Sequence, residues 1–277
     1  IIAGFTNLSV GKLFAGGLVP GLLCSTGFIV YIVIQCLRKP EMGPPISEDV
    51  KITWEDRIKS LGSVFLPVVL IVFVMGSIYT GIATPTEGAA VGAFGALCCA
   101  AVNRKLTFHN LYLAGLSSVK VTCMVMWLLI GGSLFATLLN AIGVQDALSQ
   151  ILKGIERGYG SMAVLIIIMF IVFVMGMFID GAAITVLSMP IFFPVVVSAG
   201  LDPLWFSVLF TINICMGYIT PPFGMNLFYT KGIVSSAISM EDIYWSIVPY
   251  VAVMIIVLIL MVVFPEIVLW LPNKLIQ

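Results

Sequence analysis

Charge is scarce in this sequence. Only 9% of the 277 residues are charged, against about a quarter in an ordinary soluble domain. The 13 basic and 13 acidic residues cancel, so the balance of charge does not suggest nucleic acid as a partner. Histidine occurs once, as His109, in what reads as a short polar loop. No Gly-x4-Gly-Lys-Ser/Thr phosphate loop is present, which removes the commonest ATP-driven engine. The six cysteines, Cys24, Cys36, Cys98, Cys99, Cys123 and Cys215, lie in apolar segments without C-x-x-C spacing. They read as small packing residues, not as a metal or disulfide set. No cofactor and no transition-metal site is expected. The opening residues carry no basic region of the kind that starts a signal peptide. Ile1 to Phe5 read instead as the end of a helix, and the sequence as the later part of a longer one.

What the sequence has in abundance is apolar surface: 61% of its residues are hydrophobic, more than a soluble fold could bury. Apolar stretches at 14–37, 61–79, 119–139, 162–179, 204–219 and 247–269 approach the roughly 20 residues that a helical membrane crossing needs. Weaker candidates lie at 87–102 and 182–198. The expected fold is an all-α polytopic transmembrane protein embedded in the lipid bilayer. Loops rich in Lys and Arg stay in the cytoplasm. That places the segment with Arg38, Lys39, Lys51, Arg57 and Lys59, and the turn with Arg104 and Lys105, on the cytoplasmic side. Alternation then puts Lys153 and Arg157 outside.

Two interruptions break the apolar pattern. Asp180-Gly181 separates the arms 161–179 and 182–198 and reads as the turn of a helical hairpin. Its tip is expected to be re-entrant, since non-helical backbone at membrane depth is tolerated only where it is buried or lines a cavity. The second is Ile219-Thr220-Pro221-Pro222-Phe223-Gly224. Neither proline has an N–H, and each pushes the residue before it out of the helical region. A helix should end near Ile219 and restart after Pro222, leaving the carbonyls of Met216 to Ile219 without helical partners. A weak internal repeat is also visible. Ser9, Phe14 and Val19-Pro20 precede one long apolar stretch, and Ser239, Tyr244 and Val248-Pro249 precede another.

In order and spacing, Gly81-Ile82-Ala83-Thr84-Pro85-Thr86-Glu87-Gly88-Ala89-Ala90, Gly176-Met177-Phe178-Ile179-Asp180-Gly181, Met189-Pro190, Gly200-Leu201-Asp202-Pro203 and Thr220-Pro221-Pro222-Phe223-Gly224 resemble the later part of the large membrane subunit of TRAP transporters, the tripartite ATP-independent periplasmic family. The resemblance implies an inverted-repeat, elevator-type secondary transporter of the bacterial inner membrane, not an enzyme. It implies sodium-driven uptake of an organic acid of the sialic acid or C4-dicarboxylate type. It also implies a periplasmic solute-binding protein and a small four-helix membrane subunit, separate or fused, as partners. On that pattern 1–37 is the end of a first repeat with its last transmembrane helix, and 38–60 is a cytoplasmic connecting loop. Scaffold or arm helices follow at 61–118. A transport-domain repeat at 119–236 holds the hairpin (161–199) and the broken helix (204–229), and a scaffold helix at 237–277 ends the chain.

Glu87 and Asp180 are the acids placed deep in apolar sequence, where each costs about 2.5 to 3.5 kcal/mol if central. Glu87 reads as a helix start after Pro85. Asp180 reads as a contact to sodium or to a solute hydroxyl, compatible with a helix cap. Asp180, Gly181, Thr220 and Phe223 are the candidate solute contacts. The oxygens of Gly176, Gly181, Ile219, Thr220, Gly224 and Asn226 are the candidates for sodium as coupling ion, and Pro221 and Pro222 form the break. Asn213 is as well suited to a helix-to-helix hydrogen bond. With no central lysine or arginine, the N–H groups of Gly181 to Ala183 and Phe223 to Met225 are the expected donors to a carboxylate. A proton-coupled transporter of another inverted-repeat family is poorly supplied with titratable groups. An intramembrane enzyme lacks a second carboxylate or a nucleophile with its base. A purely structural partner would need neither hairpin nor break.

Overall fold

The computed structural model describes residues 1–43, 54–234 and 238–275. Twelve α-helices and a short 3-10 turn at Pro40–Met42 account for the secondary structure, with no strand among the described residues. Among the described residues five helices are long and apolar enough to cross a membrane: α2 (Val10–Arg38), α4 (Pro85–Val102), α5 (Phe108–Ala141), α8 (Gly181–Ser198) and α11 (Met240–Val263). The protein is an all-α polytopic membrane protein. Shorter apolar helices lie at Phe65–Tyr79 in α3 (Trp54–Tyr79), in α7 (Ser161–Gly176) and in α9 (Pro203–Tyr218).

The chain divides into two compact units, residues 1–28 with 122–273 and residues 29–121 with 274–277, the boundaries falling within α2, α5 and α12 (Glu266–Leu275). In the larger unit α9 is the central element, buried along most of its length from Leu204 to Gly217. Leu165, Ile168 and Val172 of α7 recur at helical spacing and meet Phe206, Leu209 and Phe210 of α9 in one core, together with Ile184, Met189 and Val196 of α8. The Trp205 indole N–H, buried in that core, donates to the Met261 carbonyl of α11 at 2.8 Å. Polar groups within the core are likewise bonded: the Asn213 amide donates to the Met169 carbonyl at 2.7 Å, tying α9 to α7. Asn213 therefore serves the helix-to-helix bond that the sequence left open.

In the smaller unit α4 packs on α3, with Gly88 and Gly95 set against Ile78 and Leu70. The start of α4 is a capping box. Glu87 N–H donates to Thr84 Oγ1 at 3.3 Å and Thr84 N–H donates to Glu87 Oε2 at 2.7 Å, which satisfies free donors at the helix end. The structural reading of Glu87 holds, and Pro85 stands at the first helical position.

The structure corrects or refines several sequence expectations. The apolar stretch 247–269 is two helices, α11 and α12 (Glu266–Leu275). Pro265 supplies no N–H, and Phe264 before it leaves helical geometry at φ −123°, ψ 79°. The segment around Lys153 and Arg157 is an amphipathic helix, α6 (Val144–Tyr159), whose Leu152 is buried in the core. His109 lies in the first turn of α5, not in a loop, and Lys120 falls well inside the same helix, which corrects the expectation that no lysine stands within an apolar segment. α3 begins at Trp54, so Arg57 and Lys59 belong to a helix, whereas Lys51 lies outside the described residues. The internal repeat has a structural counterpart: the short α1 (Ile2–Thr6) precedes α2 with Pro20 inside it, as the short α10 (Met225–Ile233) precedes α11 with Pro249 inside it.

Candidate functional site

The two interruptions come together in the larger unit. α7 and α8 form the hairpin, 16 and 18 residues long, or about 24 and 27 Å at 1.5 Å per residue. After Gly176 the chain turns tightly, with the N–H groups of Phe178 and Ile179 both donating to the Met175 carbonyl. Asp180 is extended and caps α8, its Oδ2 accepting from Ala182 N–H at 2.9 Å. Aspartate suits that place because its carboxylate meets N–H groups at the positive end of the helix.

Opposite the turn, α9 ends at Tyr218, and Thr220, Pro221, Pro222 and Phe223 form the break. α10 restarts at Met225, two residues later than a restart directly after Pro222. Of the four carbonyls expected to be free, that of Met216 accepts from Ile219 N–H and from the Thr220 hydroxyl, the latter at 2.7 Å, and that of Gly217 accepts from Thr220 N–H at 3.0 Å. The last turn tightens and closes these two. The other two carbonyls of the expected four, those of Tyr218 and Ile219, stand nearer the prolines. Gly224 shows where that backbone points: a Cβ there would stand 2.6 Å from the Tyr218 carbonyl oxygen and 2.9 Å from that of Thr220. On the far side, the Tyr244 hydroxyl of α11 donates to the Pro222 carbonyl at 3.1 Å.

Contact between turn and break runs through Tyr218. Its hydroxyl accepts a hydrogen bond from Gly181 N–H and donates to Asp180 Oδ1 at 3.1 Å. Beside it the rings of Phe178 and Phe223 lie 5.7 Å apart, and Gly176 packs directly on Gly217. Asp180, Gly181, Gly176, Phe223, Thr220, Ile219 and Gly224 are thus gathered around one place. Asn226 sits in the first turn of α10 with its side chain exposed, and its carbonyl accepts from the Thr230 hydroxyl. No described contact brings its amide to the turn. The expected anion donors also change. Gly181 and Ala182 N–H are already engaged by Tyr218 and Asp180, whereas α10 opens on Gly224 without a side-chain cap.

Sequence reading missed Tyr218, because a tyrosine in an apolar helix resembles packing. The available signal was its place, at the last helical residue before a double-proline break. The helix contact that makes the arrangement possible is narrow. At Gly217 a Cβ would fall 2.7 Å from Gly176 Cα and 2.8 Å from its carbonyl carbon, and backbone cannot yield as a side chain can. Gly217→Ala is expected to destabilise the folded protein by about 1 to 3 kcal/mol, read as an earlier thermal transition of the detergent-solubilised protein. An unchanged transition would show that α7 and α9 have slack at this point.

Comparison with known proteins gives the family. The family described as "Tripartite ATP-independent periplasmic transporter, DctM component" matches residues 1–267. The chain is similar to the C4-dicarboxylate TRAP transporter large permease proteins DctM of Pseudomonas aeruginosa, 30% identical over 99% of this chain and 62% of that protein, and of Rhodobacter capsulatus, 32% identical over 98% and 60%. It is also similar to the sialic acid TRAP transporter large permease protein SiaM of Vibrio cholerae, 29% identical over 97% and 61%. The chain spans about three-fifths of the length of these relatives. A helical hairpin facing a double-proline break, in a chain of multiple apolar helices that this family covers almost from end to end, leaves one assignment: the chain belongs to the DctM family of TRAP transporter large permeases, multi-pass proteins of the bacterial inner membrane.

Proposed function

We propose that the chain is the solute-translocating part of a sodium-gradient-driven importer of a small organic acid, of the sialic acid or C4-dicarboxylate type. The observation that carries this reading is Asp180 at a hairpin turn, hydrogen-bonded to Tyr218 at the end of a helix broken by Pro221 and Pro222. Hairpins and broken helices are the devices by which secondary transporters present backbone dipoles to ions and solutes near the midplane. Sodium, a hard cation, would be met by oxygen: the Asp180 carboxylate, the Thr220 hydroxyl, and the carbonyls of Tyr218 and Thr220 that flank Gly224. A solute carboxylate would be met by the uncapped N-terminus of α10 and by the ion. Phe223 would line the solute's apolar side. Relatives named for C4-dicarboxylates, 2,3-diketo-L-gulonate and sialic acid support an organic acid as cargo.

A periplasmic solute-binding protein and a small four-helix membrane subunit complete the assembly in this proposal. The family's description as tripartite and periplasmic supports the first, and a relative named as a DctMQ permease supports the second. The hairpin and broken helix, within 119–236, form the moving part of an elevator, and α3 and α4 belong to its scaffold. The test is uptake by the full-length permease with its partners in vesicles. Uptake should follow an imposed sodium gradient and not a proton gradient alone; dependence on protons without sodium would overturn the coupling.

Orientation is tested separately. Single cysteines at Ser47 and Gly158, in a background without native cysteines, should react differently with an impermeant reagent on spheroplasts. Gly158 leaves open space for the new side chain, while Ser47 lies outside the described residues. Labelling is expected at Gly158→Cys and not at Ser47→Cys; the reverse would invert the topology.

A further inference from the structure

The Tyr218 hydroxyl hydrogen-bonds the turn to the end of the helix at the break. In the order of the hydrogen bonds, Gly181 N–H donates to the Tyr218 hydroxyl, the hydroxyl donates to Asp180 Oδ1, and Asp180 Oδ2 accepts from Ala182 N–H. Both carboxylate oxygens are thus fixed, one by the backbone of α8 and the other by α9. A phenol is the side chain that does this at such a distance from its own backbone. It reaches across with a rigid ring, accepts with a lone pair and donates with its proton at once. The other contacts across this seam, Phe178 on Phe223 and Gly176 on Gly217, fix distance but not the rotation of the carboxylate.

We propose that Tyr218 is a positioning residue for the coupling ion. It ties the Asp180 carboxylate to the end of α9 at the break, so that the oxygens of both elements are preorganised as one sodium-binding set. The proposal rests on the reading of the protein as a sodium-driven importer. A carboxylate freed from Tyr218 keeps its charge and its cap but rotates about its side chain, and sodium must then order it on binding. Tyr218 contributes no oxygen to the ion in this account; it acts through Asp180. Its loss raises the sodium concentration needed and leaves the saturated rate close to that of the parent.

The experiment is sodium titration of uptake by the full-length permease with its partner subunits in proteoliposomes. The probes are succinate, N-acetylneuraminate and isethionate, and the one the parent carries is used. A hydrogen bond to a charged group is comparable in strength to a tenfold change in affinity, so Tyr218→Phe should raise half-saturating sodium about three- to tenfold. The maximal rate should fall less than about twofold if binding order alone is affected. In an Asp180→Asn background the same substitution should shift half-saturating sodium much less, because the group it orients has lost its charge. Tyr218→Met, which lacks the hydroxyl but keeps bulk, should repeat the shift. An unchanged or lowered half-saturation in the phenylalanine variant, or an equal shift in both backgrounds, would overturn the proposal while leaving the transport reading intact. Loss of folded protein in both Tyr218 variants would place the hydroxyl in the fold and not in the site, and would also overturn it. Absence of sodium-stimulated uptake by the parent with all three probes overturns the transport reading and the proposal with it.

Discussion

Replacing Pro221 and Pro222 together by alanine is expected to abolish most sodium-driven uptake, by at least about tenfold, or ~1.4 kcal/mol of effective free energy, while the protein still inserts. The apolar run continues on both sides of the break, from α9 into Leu227 and Phe228 of α10. Once alanine restores two N–H donors and removes two ring clashes, little prevents the helix from running through. The carbonyls of Tyr218 and Thr220, which now face Gly224, would turn to intrahelical partners. The seam with the hairpin would be lost with them, since Phe223 would no longer lie beside Phe178. Membrane insertion depends on apolar length, which the substitution does not reduce. Western quantification of inserted protein against initial uptake rate checks the two halves of the expectation. Normal uptake at equal expression would show that the break is incidental to transport.

The prolines and the Asp-Gly turn were legible in the sequence because their constraints are local. A missing N–H, a clash with the preceding residue and an extended capping conformation act within a few positions, and the structure shows the helix end at Tyr218 and the Asp180 cap accordingly. The same local constraint at Pro265 separates α11 from α12, yet the flanking Phe264, Ile267 and Val268 keep average apolarity high enough to hide the boundary. α6 was hidden for the opposite reason. Its apolar positions, Leu148, Ile151, Leu152 and Ile155, are spaced around one side of a helix and interrupted by Gln150 and Lys153, so no unbroken run marks them.

What local chemistry does not encode is which helix faces which. Tyr218 reaches Asp180 because α9 packs on α7 closely enough for Gly217 to touch Gly176, a pairing separated by some forty positions in sequence. The engagement of Gly181 N–H follows from that packing. In both interruptions the residue types were readable and the partners were not. Asn213 is the clearer instance: its amide was equally suited to an ion or to another helix, and only the position of the Met169 carbonyl decides between them.

Asp180→Asn is the substitution expected to act most directly on the ion, because it removes charge with little change of shape. Asparagine caps helices about as well as aspartate, and its side-chain oxygen can take over the bond from Ala182 N–H that Asp180 Oδ2 now accepts at 2.9 Å. The amide nitrogen would then face the Tyr218 hydroxyl. That hydroxyl now donates to Asp180 Oδ1 at 3.1 Å, but with two lone pairs it can accept from the amide while still accepting from Gly181 N–H. The links across the turn are therefore kept, with only the Tyr218 O–H proton losing its present acceptor, and folding is expected to stay close to that of the parent. The negative charge is lost, and with it the attraction for a cation and the strength that an ionised acceptor gives to its hydrogen bonds. Uptake at a fixed, subsaturating sodium concentration should fall at least about tenfold, the effect of ~1.4 kcal/mol, with half-saturating sodium displaced upwards. If the acid served only to start α8, uptake would stay near that of the parent across the whole sodium titration. A fall in maximal rate with no change in sodium requirement would instead move Asp180 from the ion to the solute.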